Sequence, residues 1–436
     1  MAKKRKEEKP KEFTRRQLSH AKKQSRRQQI ILFSGIAVLV VAIVLPLVGW
    51  FTAEYLPLHK TVLQVGNVKF SMADYIDTMK VIRQSNPTMD TSTVVQDALQ
   101  SMEQGQILKV GAASLNVTVS DDTIKSYLKA ASLADNKSSE EYIRQQIIIQ
   151  QLQSGYFNSQ IPQTADQVHP LMTMLESDQQ AADVRQQLVN GANFTQLASA
   201  LGQDYYSQKI NQGDFGMHVR DVLSDEVSSQ IPLDYAFSAP VGSLSQPLTD
   251  NATSKQSGYW LIKIADRASS DNVDVQALFV SDNATAINVR SQLIAGGSLA
   301  DLADKYTQYS LSKSGHGNIG VILQSQNSTY TQAFNTYIWD PNSLVGAWSQ
   351  PIHDTELWTV GGSWLVKVLD KQINATVSDE DKQTLISKLM NAWYKDLTSQ
   401  PDLTVNTDML TPEMQQWAAA RLEKEMPSQQ TTSTAS

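Results

Sequence analysis

Six histidines, eight tryptophans and no cysteine set the chemistry open to this 436-residue chain. The missing thiols remove thiolate nucleophiles, thiolate metal sites and disulfides together. The histidines (His20, His59, His169, His218, His316 and His353) are scattered, and no two stand four apart as ligands on one helix face would. Neither a phosphate-cradling glycine loop nor a Gly-x-Ser-x-Gly elbow is present, so nucleotide and serine-hydrolase chemistry lack their usual anchors. What remains is aromatic and apolar. Trp260 and Trp364 stand 104 positions apart, each closing a phrase of the same pattern, Gly258-Tyr259-Trp260-Leu261-Ile262-Lys263-Ile264 and Gly362-Ser363-Trp364-Leu365-Val366-Lys367-Val368.

These phrases end two degenerate copies of one unit, about 168–267 and 273–371. Val184-Arg185 answers to Val289-Arg290, and Phe194, Leu197 and Ala198 answer to Leu299, Leu302 and Ala303, all at an offset of 105. Solenoid repeats run about 20 to 50 residues, so a period this long implies tandem copies of a small globular domain. Each copy reads as a strand, two helices, a glycine-bearing loop, a further helical turn and closing strands, a compact α+β pattern. In the first copy these fall near 168–175, 178–190, 194–202, 211–217, 232–238 and 258–266.

Residues 1–29 hold 12 basic and 3 acidic side chains, and residues 30–51 hold no charge. A helix of that length reaches roughly 33 Å, enough for a hydrocarbon core of about 30 Å. The basic flank keeps the amino terminus in the cytoplasm and sends the bulk outside. The expected layout is a basic cytoplasmic tail (1–29) and a transmembrane helix (30–52), then an exported part with 25 basic and 41 acidic residues, a balance of −16. Such an acidic surface argues against a nucleic-acid partner. Within 58–162, Gly66-Asn67 fits a hairpin turn, and Ser71, Ser120 and Ser138 fit helix starts in a mainly helical domain. Ile148, Leu152 and Tyr156 fall on one helical face. Ser378 and Thr411-Pro412 open the closing helices of 375–426, expected to return to that domain, and 427–436 reads as a disordered tail.

On these motifs the chain resembles the SurA and PrsA group of exported foldases, in which parvulin-type prolyl isomerase domains lie between halves of a helical chaperone domain. The phrases that carry it are Gln212-Gly213-Asp214-Phe215-Gly216, then Ala236-Phe237 through Gly242, Ser245 and Pro247, then the Trp260 strand. The second copy answers with Gly317-Asn318-Ile319-Gly320, Ser349-Gln350-Pro351 and the Trp364 strand. The resemblance implies an N-terminal chaperone domain and parvulin-like domains at 166–268 and 272–372. It also places Met172, Trp260, Ala277 and Trp364 where the family carries histidines. No catalytic residue is therefore assigned, and whether the chain is an enzyme stays open.

Rotation about a prolyl amide needs no proton transfer, only relief of a barrier of about 18–20 kcal/mol, which a water-excluding site can lower. Met172, Met174, Phe215, Phe237 and Trp260 are the expected peptide-binding residues, with core filling as the alternative. No metal or cofactor is expected. The leading reading is a membrane-anchored extracytoplasmic foldase that binds unfolded, newly exported polypeptides. An active prolyl isomerase and a scaffold docking one dedicated envelope partner are the alternatives.

Overall fold

The computed structural model describes residues 41–427, so the basic tail, the first part of the apolar run and residues 428–436 lie outside the described residues. Two compact units divide the chain, one running to Phe157 and resuming at Met390, the other being Asn158–Leu389.

The first unit begins with an apolar helix, Val41–Leu58, none of which is buried. Strands β1 (Thr61–Val65) and β2 (Val68–Ser71) then form the expected hairpin. Gly66 turns it at φ +56°, where a Cβ would stand 2.3 Å from the Asp402 carbonyl oxygen. Ser71 closes a reciprocal cap with Asp74 at the start of the helix Met72–Ser85. Helices Thr91–Ser114, Asp121–Ala130 and Lys137–Gln151 follow. The last is capped by Asn136 rather than by Ser138. Beyond Gln151 the backbone widens into a π-helical turn, Leu152–Phe157, which shifts the phase of the stripe. Leu152 stays inside, but Phe157 rather than Tyr156 takes the next buried place. At the other end of the chain Val405–Asn406 pairs with β1, and the helix Pro412–Glu425 packs on Met72–Ser85 and Thr91–Ser114. Leu403, Leu410 and Leu422 share one core with Val62, Tyr75 and Met79.

The second unit is α+β and holds two four-stranded antiparallel sheets. Its strands are β3 (Thr164–Leu175), β4 (His218–Val219), β5 (Leu248–Lys255), β6 (Gly258–Ser269), β7 (Asn272–Val280), β8 (Asn318–Leu323), β9 (Ile352–Asp354) and β10 (Thr359–Thr376). The sheet orders are β4-β3-β10-β5 and β8-β7-β6-β9. The repeat is therefore real but its closing strands are exchanged. The Trp260 strand of the first copy pairs with the opening strand β7 of the second, and the Trp364 strand of the second pairs with the opening strand β3 of the first.

A division at 166–268 and 272–372 follows the sequence repeat and not the sheets. Residues 258–354 form one contiguous module inserted between β5 and β10, whose facing ends meet at Lys255 and Thr359. Linker length accounts for this. Only Ser270-Asp271 separates β6 from β7, and a two-residue link favours pairing of the strands it joins. β6 is then committed to the second sheet, which leaves β10 as the partner for β3.

Each sheet is covered on both faces. In the inserted module Trp260, Ile262 and Ile264 face one cluster with Phe279 and Phe334, while Leu261 faces another on Val289 and Ala303. The discontinuous module repeats this with Trp364, Val366 and Val368 on one side and Leu365 on the other.

Candidate functional site

Both tryptophans lie in sealed interiors, Trp260 at 1% exposure and Trp364 at 2%. Each indole donates to a buried carboxylate: Trp260 Nε1 to Asp354 Oδ2 at 2.8 Å and Trp364 Nε1 to Asp250 Oδ2 at 3.1 Å. The same carboxylate accepts the hydroxyl that caps the neighbouring helix, Thr331 on Asp354 and Ser229 on Asp250. Burial opposes the charge on Asp250, but hydrogen bonds from Ser229, Thr253 and the backbone of Ala252 and Thr253 outweigh it and hold the carboxyl at about 2. A tryptophan, an aspartate and a helix-capping hydroxyl thus form one locked cluster in each module. Asp250 and Asp354 stand 104 apart, the offset that separates the tryptophans, and that shared spacing is the signal by which sequence reading could have found them.

The glycine two residues before each tryptophan makes room for its neighbour. A Cβ on Gly258 would lie 2.4 Å from the Phe279 ring, and one on Gly362 would lie 2.4 Å from the Met174 methyl. Phe279 and Met174 slide beneath these glycines, and the Phe279 ring reaches 4.7 Å from Trp260. The glycine loops serve the opening strands in the same repeated way. Gly213 accepts from Met172 N–H at 2.9 Å, and Gly317 accepts from Ala277 N–H at 2.9 Å.

The five residues expected to bind peptide are not gathered into one pocket. Met172, Met174 and Phe215 share a buried cluster with Trp364, while Trp260 lies in the other module's core because its strand is exchanged. Phe237 is half-buried at the margin of the first cluster beneath the Arg220 guanidinium. Four of the five expose almost no surface, so the expectation of an open peptide site there is corrected: close packing of the indoles against their aspartates fills the space. Among the family's histidine positions, Met172 lies in the core with Trp364, and Ala277 lies in the core with Trp260. His169, His218 and His316 do not replace them. His169 pairs with Asp214 at 2.6 Å on the surface, His316 with Asp304 at 2.8 Å, and His218 with the buried Asp381 at 2.5 Å. No cluster of three or more metal-ligating side chains occurs among the described residues.

Sequence reading also missed a partly buried polar junction where the chain crosses between modules. Tyr259 Oη donates to Glu176 at 3.0 Å, its ring stacks on His353, and His353 Nε2 meets Ser257 Oγ at 3.0 Å. Beside them Lys255, 1% exposed, donates to the Gly361 carbonyl. Burial pushes Lys255 down to about 8 against the opposing pull of Asp282 and Glu176, and burial pushes Glu176 up. The unfolded chain holds the Lys255 proton up to its ordinary value near 10.5, so it binds more protons than the fold between about 8 and 10.5. Stability therefore gains from this group as pH rises through that window, by up to about 3 kcal/mol. Thermal unfolding from pH 7.5 to 9.5 should show this gain in the wild type relative to Lys255→Met, and parallel curves would contradict it.

The site thus defines a pair of α+β modules whose paired cores are closed by Trp–Asp contacts. No family model matches the chain. Among curated proteins, the foldase protein PrsA of Caldanaerobacter subterraneus subsp. tengcongensis is 24% identical over an alignment of 183 residues that covers 39% of this chain and 56% of that relative. The chain thus spans little more than half the length of the curated relative it matches. The structure of PrsA from Streptococcus pneumoniae aligns over 84% of this chain and 99% of that one, at 10% identity and a TM-score of 0.26. A structure of the SurA-like chaperones PEB4 and Cj1289 of Campylobacter jejuni aligns over 65% and 90%, at 13% identity and a TM-score of 0.15. The chain is similar to PrsA-type foldases, as its motifs imply.

Proposed function

We propose that the chain is a membrane-anchored extracytoplasmic foldase of the PrsA and SurA type that holds unfolded exported polypeptides without isomerising their prolyl bonds. The observation that carries the second half is the pair of sealed Trp–Asp clusters at positions where the family has histidines. A prolyl segment has no entry to them, and Met172 and Ala277 are fully buried in the same two cores. The motifs and the curated relative support the first half. Anchoring is supported by the exposed apolar helix Val41–Leu58, with Trp50, Phe51 and Tyr55 toward its outer end. The acidic exported surface favours basic clients and discourages self-association.

The full chain in detergent tests both halves. A denatured client should aggregate less in its presence, while a prolyl peptide should isomerise at the uncatalysed rate. No suppression at several-fold molar excess would overturn the foldase reading, and an accelerated prolyl rate would overturn the loss of isomerase activity. A fragment ending at residue 267 is unsuitable for this purpose. It would contain β6 without β7 and β3 without β10.

A further inference from the structure

The apolar helix Val41–Leu58 joins the helical unit with almost no slack. Only His59 and Lys60 separate it from β1, and Met72 N–H, at the start of the next helix, donates to the Lys60 carbonyl at 2.8 Å. The chain is α-helical to Trp50 and then widens into a π-helical turn at Phe51–Tyr55, a feature that recurs at functional sites. Tyr55 stacks on Phe51 at 5.1 Å and on His59 at 4.0 Å, so the turn carries an aromatic collar.

Glu54, the first charged residue after Arg27, lies in that turn and pairs with Arg421 at 2.5 Å. Arg421 belongs to the last helix, Pro412–Glu425, and its Nε donates to Glu425 at 3.0 Å, which in turn pairs with Lys80 at 2.7 Å. Glu423 on the same helix meets the buried Arg83 at 3.3 Å. A chain of ion pairs thus runs from the helix Met72–Ser85 through the last helix to the outer end of the apolar one. Isolated exposed pairs contribute little, whereas a network of charges that share side chains can hold a geometry.

We infer that this network clamps the helical unit directly onto the outer membrane surface, with Trp417, Arg421 and Lys424 of the last helix set among the lipid headgroups, which rests on the membrane-anchored reading. Glu54 stands three residues past Phe51, about 5 Å along the axis, and headgroups extend roughly 5–8 Å beyond the hydrocarbon on each side. Its carboxylate and the Arg421 guanidinium bonded to it therefore fall within that layer. Trp417, Ala420, Arg421 and Lys424 follow the spacing of one helix face. That face carries an indole beneath the guanidinium at 5.4 Å and an exposed Lys424, residue types that settle at the headgroup level and meet lipid phosphates. The partner is the bilayer surface, and the unit stands on it instead of swinging on a tether.

The cysteine-free chain accepts a single label. Ala420→Cys, exposed on that face, is labelled with bimane in the full chain and reconstituted into phosphatidylcholine vesicles, with and without phosphatidylcholine carrying a headgroup nitroxide. With the label inside a headgroup layer of roughly 5–8 Å, emission should fall about twofold in the nitroxide vesicles. Release is tested by Arg421→Ala combined with an insert of about twelve Gly and Ser residues after His59, which spans roughly 19 Å. This variant should float with the vesicles, keep the circular dichroism of the parent and lose the quenching. Glu54→Gln with the same insert, which leaves the Lys80–Glu425–Arg421 pairs in place, should behave alike. Unquenched emission from parent chains that float, or equal quenching in the parent and both released variants, overturns the clamp and leaves an anchored foldase standing. Parent chains that fail to float with the vesicles overturn the anchor itself.

Discussion

Trp260→Ala should cost about 3–5 kcal/mol of stability, and Trp364→Ala a similar amount, because each removes the largest side chain of a closed core. The Trp260 ring touches Phe279, Tyr309 and Phe334 with centroids within 5.0 Å, so a truncation leaves a cavity that rigid aromatic neighbours cannot fill. The loss should be local in an informative way. Hydrogen exchange at amides of β7 should accelerate in Trp260→Ala, since β6 pairs there, and at amides of β3 in Trp364→Ala. If the copies were contiguous in space as in sequence, the two patterns would be reversed.

Removal of the carboxylate should be nearly as damaging. Asp354 accepts from the Trp260 indole, the Thr331 hydroxyl and the backbone N–H of Glu356, so Asp354→Ala strands several donors at a site only 2% exposed. Each stranded buried donor costs about 1–3 kcal/mol, which puts the expected loss near 3–5 kcal/mol after partial relaxation. Asp354→Asn keeps an acceptor oxygen and should lose less. Denaturant midpoints of the two variants check the order, and equal losses would mean that charge rather than acceptor geometry holds the cluster.

Much of the architecture was legible from local chemistry. Ser71, Ser120 and Thr411 cap the helices they were expected to open, and the helices near 178–190 and 194–202 form at Asp178–Val189 and Phe194–Leu201. Caps and periodicity are short-range signals, so they survive without knowledge of the fold. Strand partnership is a long-range property, and there the repeat misled. Identical strands compete for identical partners, and a two-residue link at Ser270-Asp271 decided the competition. That choice placed Trp260 with Phe279 instead of Met172 and Met174, so the expected site residues were separated although their burial followed from their types.

The cysteine-free background allows a direct measurement of the exchange. Leu171 faces Lys367 across β3 and β10, whereas Lys263, the counterpart of Lys367 in the first copy, faces Gln276. Directly opposed residues in an antiparallel pair lie within reach of a disulfide. Under mild oxidation the full chain carrying Leu171→Cys and Lys367→Cys should form an intrachain disulfide, and the chain carrying Leu171→Cys and Lys263→Cys should remain reduced. A disulfide in the second pair and none in the first would contradict the exchanged strands and, with them, the sealed clusters on which the proposed absence of isomerase activity rests.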